Sequence, residues 1–245
     1  MRKVLILGAT SAIAQGAARE AARRGDALFL VGRNQERLAQ VTEDLRVRGA
    51  SQLDALDADL TDGARHVAII DAAEAALGGL DGVIIAHGVL TDQPAAERDP
   101  QVLRRDFDVN FLSAASLLTH LANRFEAKKA GVLVVVSSVA GDRGRQSNYV
   151  YGASKAALTA FLSGLRNRLA KSGVFVVTVK PGFVDTPMTA NVPKNALFAK
   201  ADDVGRVVYR CLEKPRDVVY VPWFWRPLMF AVRTVPERVF KQLKL

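Results

Sequence analysis

Residues 132–155 read VLVVVSSVAGDRGRQSNYVYGASK and pass from an apolar run into a segment with polar and ionisable side chains. The apolar run has the length of a buried strand, and a helix is expected around Tyr151. Tyr151 and Lys155 are four residues apart, so a helix places them on one face. Ser138 follows the strand directly. The stretch therefore predicts a strand, a loop and a helix that bring a hydroxyl, a phenol and an ammonium group together.

These three side chains suit proton transfer. A phenol has a reference pKa of about 10, which is too high for easy proton exchange at neutral pH. A nearby ammonium group favours the phenolate and lowers that pKa. We therefore predict that Tyr151 is a general acid, that Lys155 lowers its pKa, and that Ser138 holds a carbonyl oxygen beside the phenol. Tyr149 does not fit, because Ala153 stands four residues after it.

The set resembles the catalytic core of the classical short-chain dehydrogenase/reductases, in which a serine lies thirteen residues before Tyr-x-x-x-Lys; Ser138 has that spacing. The resemblance implies a nicotinamide cofactor whose ribose Lys155 also binds. It further implies that Asn110 holds a water against Lys155 and extends a proton relay, which is compatible with a buried asparagine bonded to backbone. Alone, Tyr-x-x-x-Lys also describes a half-buried tyrosine beside a solvated lysine, so the rest of the chain decides.

The rest of the chain predicts one α/β domain. Short apolar runs alternate with longer helical stretches, as in a parallel sheet with helices on both faces. We expect a Rossmann-type doubly wound parallel sheet of about seven strands in a catalytic domain of residues 1–221, followed by a basic aromatic tail, residues 222–245, that is not an independent domain. The 245 residues are 49% hydrophobic, enough for a sizeable core. The single cysteine, Cys211, fits a reducing, cytoplasmic compartment.

The first strand, Lys3–Leu7, runs into GATSAIA at residues 8–14. A strand, a glycine turn and a helix N-terminus form a phosphate-binding arrangement. The Gly-x-x-x-Gly-x-Gly pattern of the family keeps only Gly8 here, because Ala12 and Ala14 occupy the other glycine positions. We expect a dinucleotide pyrophosphate to approach this turn with less room. The alternative is an ordinary strand-to-helix turn.

Arg33 follows the second strand, where an NAD-preferring unit carries an acidic residue. An arginine there accommodates a 2′-phosphate, so we predict NADP(H) over NAD(H), the alternative being a solvated charge at a helix entry. The cofactor contacts that the resemblance implies are Gly8, Thr10, Ser11, Ile13, Arg33, Asp59, Leu60, Ala86, His87, Gly88, Tyr151, Lys155, Pro181, Gly182, Val184 and Thr186. We expect no resident metal, because His66, His87 and His120 are dispersed along the chain.

No motif specifies the substrate. Arg143 and Arg145 lie between Ser138 and Tyr151 and could attract an anionic group. Phe183 and Met188 are further candidate contacts, since residues 187–200 have the irregular pattern of a substrate lid. The GATSAIA turn and the tail together resemble the branch around polyprenyl-phosphate keto-pentose reductases. We expect a lipid-linked or acyl ketone; the alternatives are a soluble ketone or alcohol, and a non-catalytic scaffold that binds NADP(H).

The last forty residues of the chain, which include the tail, carry much of the positive charge. Residues 206–245 hold nine basic and three acidic residues, a net +6 of the chain's +9. The apolar stretch 218–232, VVYVPWFWRPLMFAV, is shorter than the roughly 20 residues that a membrane-spanning helix needs. We predict that the tail lies on a membrane surface, with two tryptophans at headgroup depth and the basic side chains towards lipid phosphates. These residues are Trp223, Trp225, Arg226, Arg233, Arg238, Lys241 and Lys244.

The sequence leaves other roles open for the tail. Its aromatic side chains could pack on the domain or across a homo-oligomer interface while its charges remain solvated. A nucleic-acid partner is not expected, because the basic residues lie among bulky apolar ones and no recognised binding motif accompanies them.

Overall fold

The computed structural model describes residues 1–243. The strands are β1 (Lys3–Leu7), β2 (Ala27–Gly32), β3 (Gln52–Asp57), β4 (Gly82–Ile85), β5 (Gly131–Val136), β6 (Val174–Pro181), β7 (Val184–Asp185), β8 (Ala199–Lys200) and β9 (Val218–Val221). The helices are α1 (Ala12–Arg23), α2 (Gln35–Val47), α3 (His66–Leu77), α4 (Gln93–Arg98), α5 (Pro100–Phe107), α6 (Ser113–Lys128), α7 (Tyr149–Leu169), α8 (Ala201–Glu213), α9 (Trp225–Thr234) and α10 (Glu237–Phe240).

Seven strands form one sheet in the order β3-β2-β1-β4-β5-β6-β9, and every neighbouring pair is parallel. The predicted doubly wound sheet of about seven strands is confirmed. The short strands β7 and β8 pair with each other outside the main sheet. They lie just before and at the end of the lid region expected at residues 187–200. The start of the apolar stretch 218–232 is β9, the edge strand of the main sheet.

Both faces of the sheet are covered by helices, which explains why its central strands are apolar throughout. On one face, α3, α6 and α7 contribute aliphatic side chains such as Ile70 and Leu162. On the other, α1, α2 and α8 contribute smaller ones such as Ala18 and Val208. Apart from Lys3 at the start of β1, the central strands β1, β4 and β5 carry only apolar side chains and glycine, and a ligand site is expected beyond the carboxyl ends of the strands.

Residues 93–128 form three helices, α4, α5 and α6, rather than one. Pro100 begins α5, and the Asp99 side chain accepts a hydrogen bond from the Gln101 amide at 2.9 Å. A turn of π-helix, Asp108–Leu112, then joins α5 to α6. This wider turn buries the Asn110 side chain near the end of β4.

The tail forms α9 and α10. Trp225 and Met229 on α9 are buried together with Val139, in a small cluster separate from the two main cores. None of the helices in residues 1–243 is long and apolar enough to cross a bilayer. Lys244, which we predicted to face lipid phosphates, lies outside the described residues.

The packing of α1 against α8 gives a test of the fold. A methyl group on Gly205 would lie 2.5 Å from the backbone carbon of Gly16, so we expect Gly205→Ala to lower the free energy of unfolding by ~1–3 kcal/mol. Gly164→Ala is the matched control, because no atom lies within 4 Å of its added methyl. We expect the control to raise stability by up to ~1 kcal/mol. Urea denaturation measures both, and equal effects would contradict the close contact of the two helices.

Candidate active site

A cavity of about 660 Å³ opens at the carboxyl ends of the central strands. Every residue that we predicted as a cofactor contact lines it, as do Ser138, Arg145, Phe183 and Met188. Asn110 lies behind its wall, and Arg143 is not part of the lining. The sheet therefore brings together residues from almost the whole length of the chain.

The glycine turn forms one end of this cavity. Gly8 has a φ of +82°, and an added Cβ would lie 2.6 Å from the His87 amide nitrogen, so only glycine fits. Ser11 precedes α1 but its side chain makes no capping hydrogen bond, which leaves first-turn amides of the helix free for an anion. Of the two substituted glycine positions, only Ala12 lines the cavity, while Ala14 is buried in the core. These features fit a dinucleotide pyrophosphate.

The neighbouring part of the cavity is basic. The exposed Arg33 and Arg37 both line it. Asp59 is nearby, but its carboxylate accepts hydrogen bonds from the Thr61 amide and hydroxyl at 2.9 and 2.8 Å. These bonds, helped by the charge of Arg33, hold the pKa of Asp59 below its usual value. The region suits a phosphate group on the adenosine ribose.

Ser138, Tyr151 and Lys155 lie together on one wall. Ser138 lies two residues after the end of β5, and its hydroxyl accepts a hydrogen bond from the Ala140 amide at 3.1 Å. Burial raises the pKa of Tyr151, and its hydrogen bond with Ser138 and the charge of Arg145 oppose that rise. The phenol therefore remains protonated at neutral pH and can donate a proton.

In this structure Lys155 does not lower the pKa of Tyr151, whereas its second predicted role, binding a cofactor ribose, stays a prediction. Its ammonium donates to the Val136 carbonyl at 3.3 Å and lies 5.9 Å from the centre of the Tyr151 ring. Burial lowers the pKa of Lys155 to about 8. The cation that opposes the rise in the phenol pKa is Arg145 rather than Lys155.

Both polar atoms of the Asn110 side-chain amide form hydrogen bonds with the backbone of Val89. Its oxygen accepts from the Val89 amide at 2.8 Å, and its nitrogen donates to the Val89 carbonyl at 3.0 Å. A methyl group on Gly88 would lie 2.9 Å from the Asn110 oxygen and 3.4 Å from the Lys155 nitrogen. Asn110 and Lys155 thus flank Gly88, and the asparagine fixes the loop that follows β4.

His87 lies in that loop, and the hydrogen bonds around Ser113 favour one tautomer of its ring. Ser113 donates its hydroxyl proton to the Val109 carbonyl at 2.9 Å, so its oxygen accepts from His87 Nε2 at 2.8 Å. Nδ1 is then an acceptor. Burial, with the charge of Lys155, lowers the pKa of His87 to about 3, so the ring is neutral near pH 7.

Buried polar atoms without a partner are concentrated at this cavity. Within residues 1–243 the side-chain atoms of this kind are His87 Nδ1, Thr91 Oγ1, Arg145 Nε, Asn148 Oδ1 and Trp225 Nε1. All five residues line the cavity. Since buried polar groups in proteins are almost always hydrogen-bonded, this concentration indicates a site built for a polar ligand.

The structure corrects the expectation for Arg143. Its guanidinium donates to the carbonyls of Val232 and Val235 at 2.7 and 2.5 Å and to the Glu237 carboxylate at 2.8 Å. It also lies 3.6 Å from the centre of the Phe240 ring. Arg143 therefore binds the tail, at the end of α9 and the start of α10, and does not face the substrate.

The loop that carries both arginines is anchored at Asp142. This buried carboxylate forms an ion pair with Lys180 and accepts a hydrogen bond from the Tyr220 hydroxyl at 2.8 Å. Burial and that bond raise the pKa of Tyr220 to about 12. From this fixed point, Arg143 extends to the tail and Arg145 to the cavity.

Trp225 is also placed differently from the prediction. It is only 4% exposed, and its indole occupies the space where a Cβ on Gly182 would be, 1.9 Å from Trp225 Cε2. It packs edge-on against Phe183, with 5.6 Å between ring centres. Trp225 is therefore a wall of the cavity rather than a membrane anchor, whereas Trp223 is 78% exposed. Thr91, Asn148 and Trp225 are cavity residues that no sequence motif indicated.

The fold, the phosphate-binding turn and the serine–tyrosine–lysine wall define a nucleotide-dependent oxidoreductase. Residues 2–197 match the family described as short chain dehydrogenase, and the chain belongs to that family. An uncharacterized oxidoreductase of Mycobacterium tuberculosis is 35% identical over 240 residues, which cover 98% of this chain and 96% of that protein. Another, from Streptomyces coelicolor, is 33% identical over 243 residues, covering 99% and 96%. The chain is accordingly an NAD(P)-dependent oxidoreductase.

Solved structures show the same fold. Levodione reductase superposes with a TM-score of 0.83 at 21% identity, covering 92% of this chain and 98% of that one. ElxO with NADP bound also gives a TM-score of 0.83, at 19% identity, covering 93% and 100%. At these identities the likeness concerns the fold alone.

The contacts of Arg143 give a test of how the tail is held. Arg143→Met keeps an apolar contact with Phe240 but removes the three hydrogen bonds to the tail. We expect faster amide hydrogen exchange in residues 225–240, because those bonds join α9 and α10 to the domain. Arg226→Met is the control, since Arg226 is exposed on α9. Similar exchange in the two variants would show that Arg143 does not fasten the tail.

Proposed function

We propose that the protein is an NADPH-dependent reductase that transfers hydride to a ketone. The observation that carries the proposal is the wall formed by Ser138, Tyr151 and Lys155 in a cavity whose other end is formed by the glycine turn and the N-terminus of α1. When bound, NADPH supplies the hydride, which is the chemistry that no side chain can provide. The chain supplies orientation and the proton.

Each polar side chain then has a defined task. Ser138 donates a hydrogen bond to the carbonyl oxygen and holds it beside Tyr151. Tyr151 donates its phenolic proton to that oxygen as negative charge develops there. Lys155 binds the ribose next to the nicotinamide, and Asn110 supports the passage of a replacement proton by fixing the loop at Gly88.

The basic lining at the glycine turn supports a preference for NADP(H) over NAD(H). Arg33 and Arg37 offer two guanidinium groups to a 2′-phosphate, and arginine binds phosphate through paired hydrogen bonds. The nearby Asp59 accepts both hydrogen bonds from Thr61 at one carboxylate oxygen, Oδ1, which ties its side chain to that turn. The NADP bound to ElxO, a protein of the same fold, agrees with this preference.

Tyr151→Phe tests the reaction directly. We expect it to lower the rate of NADPH consumption 10²–10⁴-fold, the usual contribution of a general acid. Tyr149→Phe is the matched control, because Tyr149 lies on the same helix but is 44% exposed. Purified protein is offered soluble ketones and then a detergent-dispersed polar lipid extract, with NADPH and NADH compared. Full turnover by Tyr151→Phe would contradict the role of Tyr151 as proton donor, and full biological function without turnover would favour a scaffold.

We further propose that the ketone is lipid-linked and that the protein works at a membrane surface. The tail exposes Trp223, Leu228 and Phe230, and the last is 72% exposed. Exposed basic residues of the tail surround them: Arg226, Arg233, Arg238 and Lys241. Exposed aromatic and basic side chains together favour anionic lipid. Because Trp225 on the same helix lines the cavity, this surface adjoins the site.

Vesicle sedimentation tests the membrane contact. We expect the protein to bind vesicles with anionic lipid and not purely zwitterionic ones, and Trp223→Ser with Phe230→Ser to weaken binding at least tenfold. The control is Val47→Ser, which removes an apolar side chain that is 82% exposed on α2. A double variant that binds lipid normally but loses self-association in light scattering would instead assign this face to a homo-oligomer.

A further inference from the structure

We propose that Arg145, together with Trp225 and Asn148, binds a negatively charged group of the substrate next to the reacting carbonyl. The inference rests on the proposed function only in taking the occupant of the cavity to be a ketone. It separates the two arginines that the sequence could not distinguish, and it assigns the anion to one of them.

Arg145 is a half-buried cation that has no counter-ion among residues 1–243. Its side chain lines the cavity, and its Nε is buried with no hydrogen-bond partner. Within the described residues 1–243 it forms neither an ion pair nor a side-chain hydrogen bond. Arg143, two residues earlier, donates three hydrogen bonds. Since removing a guanidinium from water is costly, an uncompensated one inside a cavity indicates that an anion completes the site.

Two other residues that line the same cavity also carry polar atoms without a partner. Trp225 Nε1 is an N–H donor, buried and without a partner, on a ring that Gly182 and Phe183 hold in place. Asn148 precedes α7, but its side chain does not cap that helix, and its Oδ1 is also buried without a partner. Arg145 and Trp225 can donate to anionic oxygens. The Asn148 amide suits a hydroxyl on the same ligand.

The position of Arg145 also connects this subsite to the reaction. The positive charge of Arg145 opposes the rise in the pKa of Tyr151, so the two groups are close enough to interact. An anion bound to Arg145 is therefore held close to the phenol that donates the proton. The subsite selects ketones whose anionic group lies near the carbonyl.

The test uses a pair of probes that differ in charge: a cyclohexanone carboxylate and its methyl ester. Their affinities for the protein loaded with NADP⁺ are measured by calorimetry, so no turnover is required. We expect the wild type to bind the carboxylate at least tenfold more tightly than the ester. Arg145→Met should abolish that preference, and Arg145→Lys should retain part of it. Arg104→Met, which removes an exposed arginine of α5 outside the cavity, should leave it intact.

Two outcomes would overturn the inference. One is equal affinity of the wild type for the two probes, including binding of neither. The other is a preference that survives in Arg145→Met, provided that this variant melts at the wild-type temperature. The proposed function fails separately, if the wild type binds the carboxylate selectively but no ketone supports consumption of NADPH. Either of these two outcomes, found together with reduction of both probes, would leave the reductase in place and reject only the subsite.

Discussion

The burial of both faces of a parallel sheet is the constraint on which the rest of the molecule depends. Helices cover the sheet on each side, so the interior of the domain accommodates almost only aliphatic side chains. Side chains that carry charge or exchange protons are therefore placed where strands end and loops begin. Gly8, Gly88, Ser138 and Gly182 follow four strands whose carboxyl ends meet at one edge, and the cavity forms between them.

The tail belongs to this arrangement. The strand β9, which directly precedes the tail, pairs with β6, and Trp225 of the tail closes the cavity against Gly182. Arg143 satisfies the carbonyls at the end of α9, which a helix of ten residues would otherwise leave to solvent. The loop after Ser138 thus fastens the tail through one arginine and presents the next to the cavity. Changes in the tail can reach the site through Trp225.

Much of the fold and the cofactor end of the site could be predicted from sequence. Runs such as Val132–Val136 are apolar and rich in β-branched residues, which predicts buried strands. Gly8 lies between such a run and a helix, where a tight turn favours glycine. The distinction between Arg143 and Arg145 could not be predicted, because it depends on where α9 and α10 pack. The same holds for Trp223 and Trp225, which have identical side chains and opposite environments. Lys155 has little effect on the pKa of Tyr151 in this structure. That effect depends on the distance between the two side chains, which their four-residue spacing does not reveal.

The central claim is that the protein transfers hydride from its nicotinamide cofactor to a ketone. The most direct test uses NADPH deuterated at the transferable positions of the nicotinamide ring, incubated with the protein and a polar lipid extract, followed by mass spectrometry of the products. The account predicts an alcohol that carries one carbon-bound deuterium, with a negative charge elsewhere in the molecule. Oxidation of NADPH without deuterium in any product, or no oxidation with either the extract or soluble ketones, would contradict it.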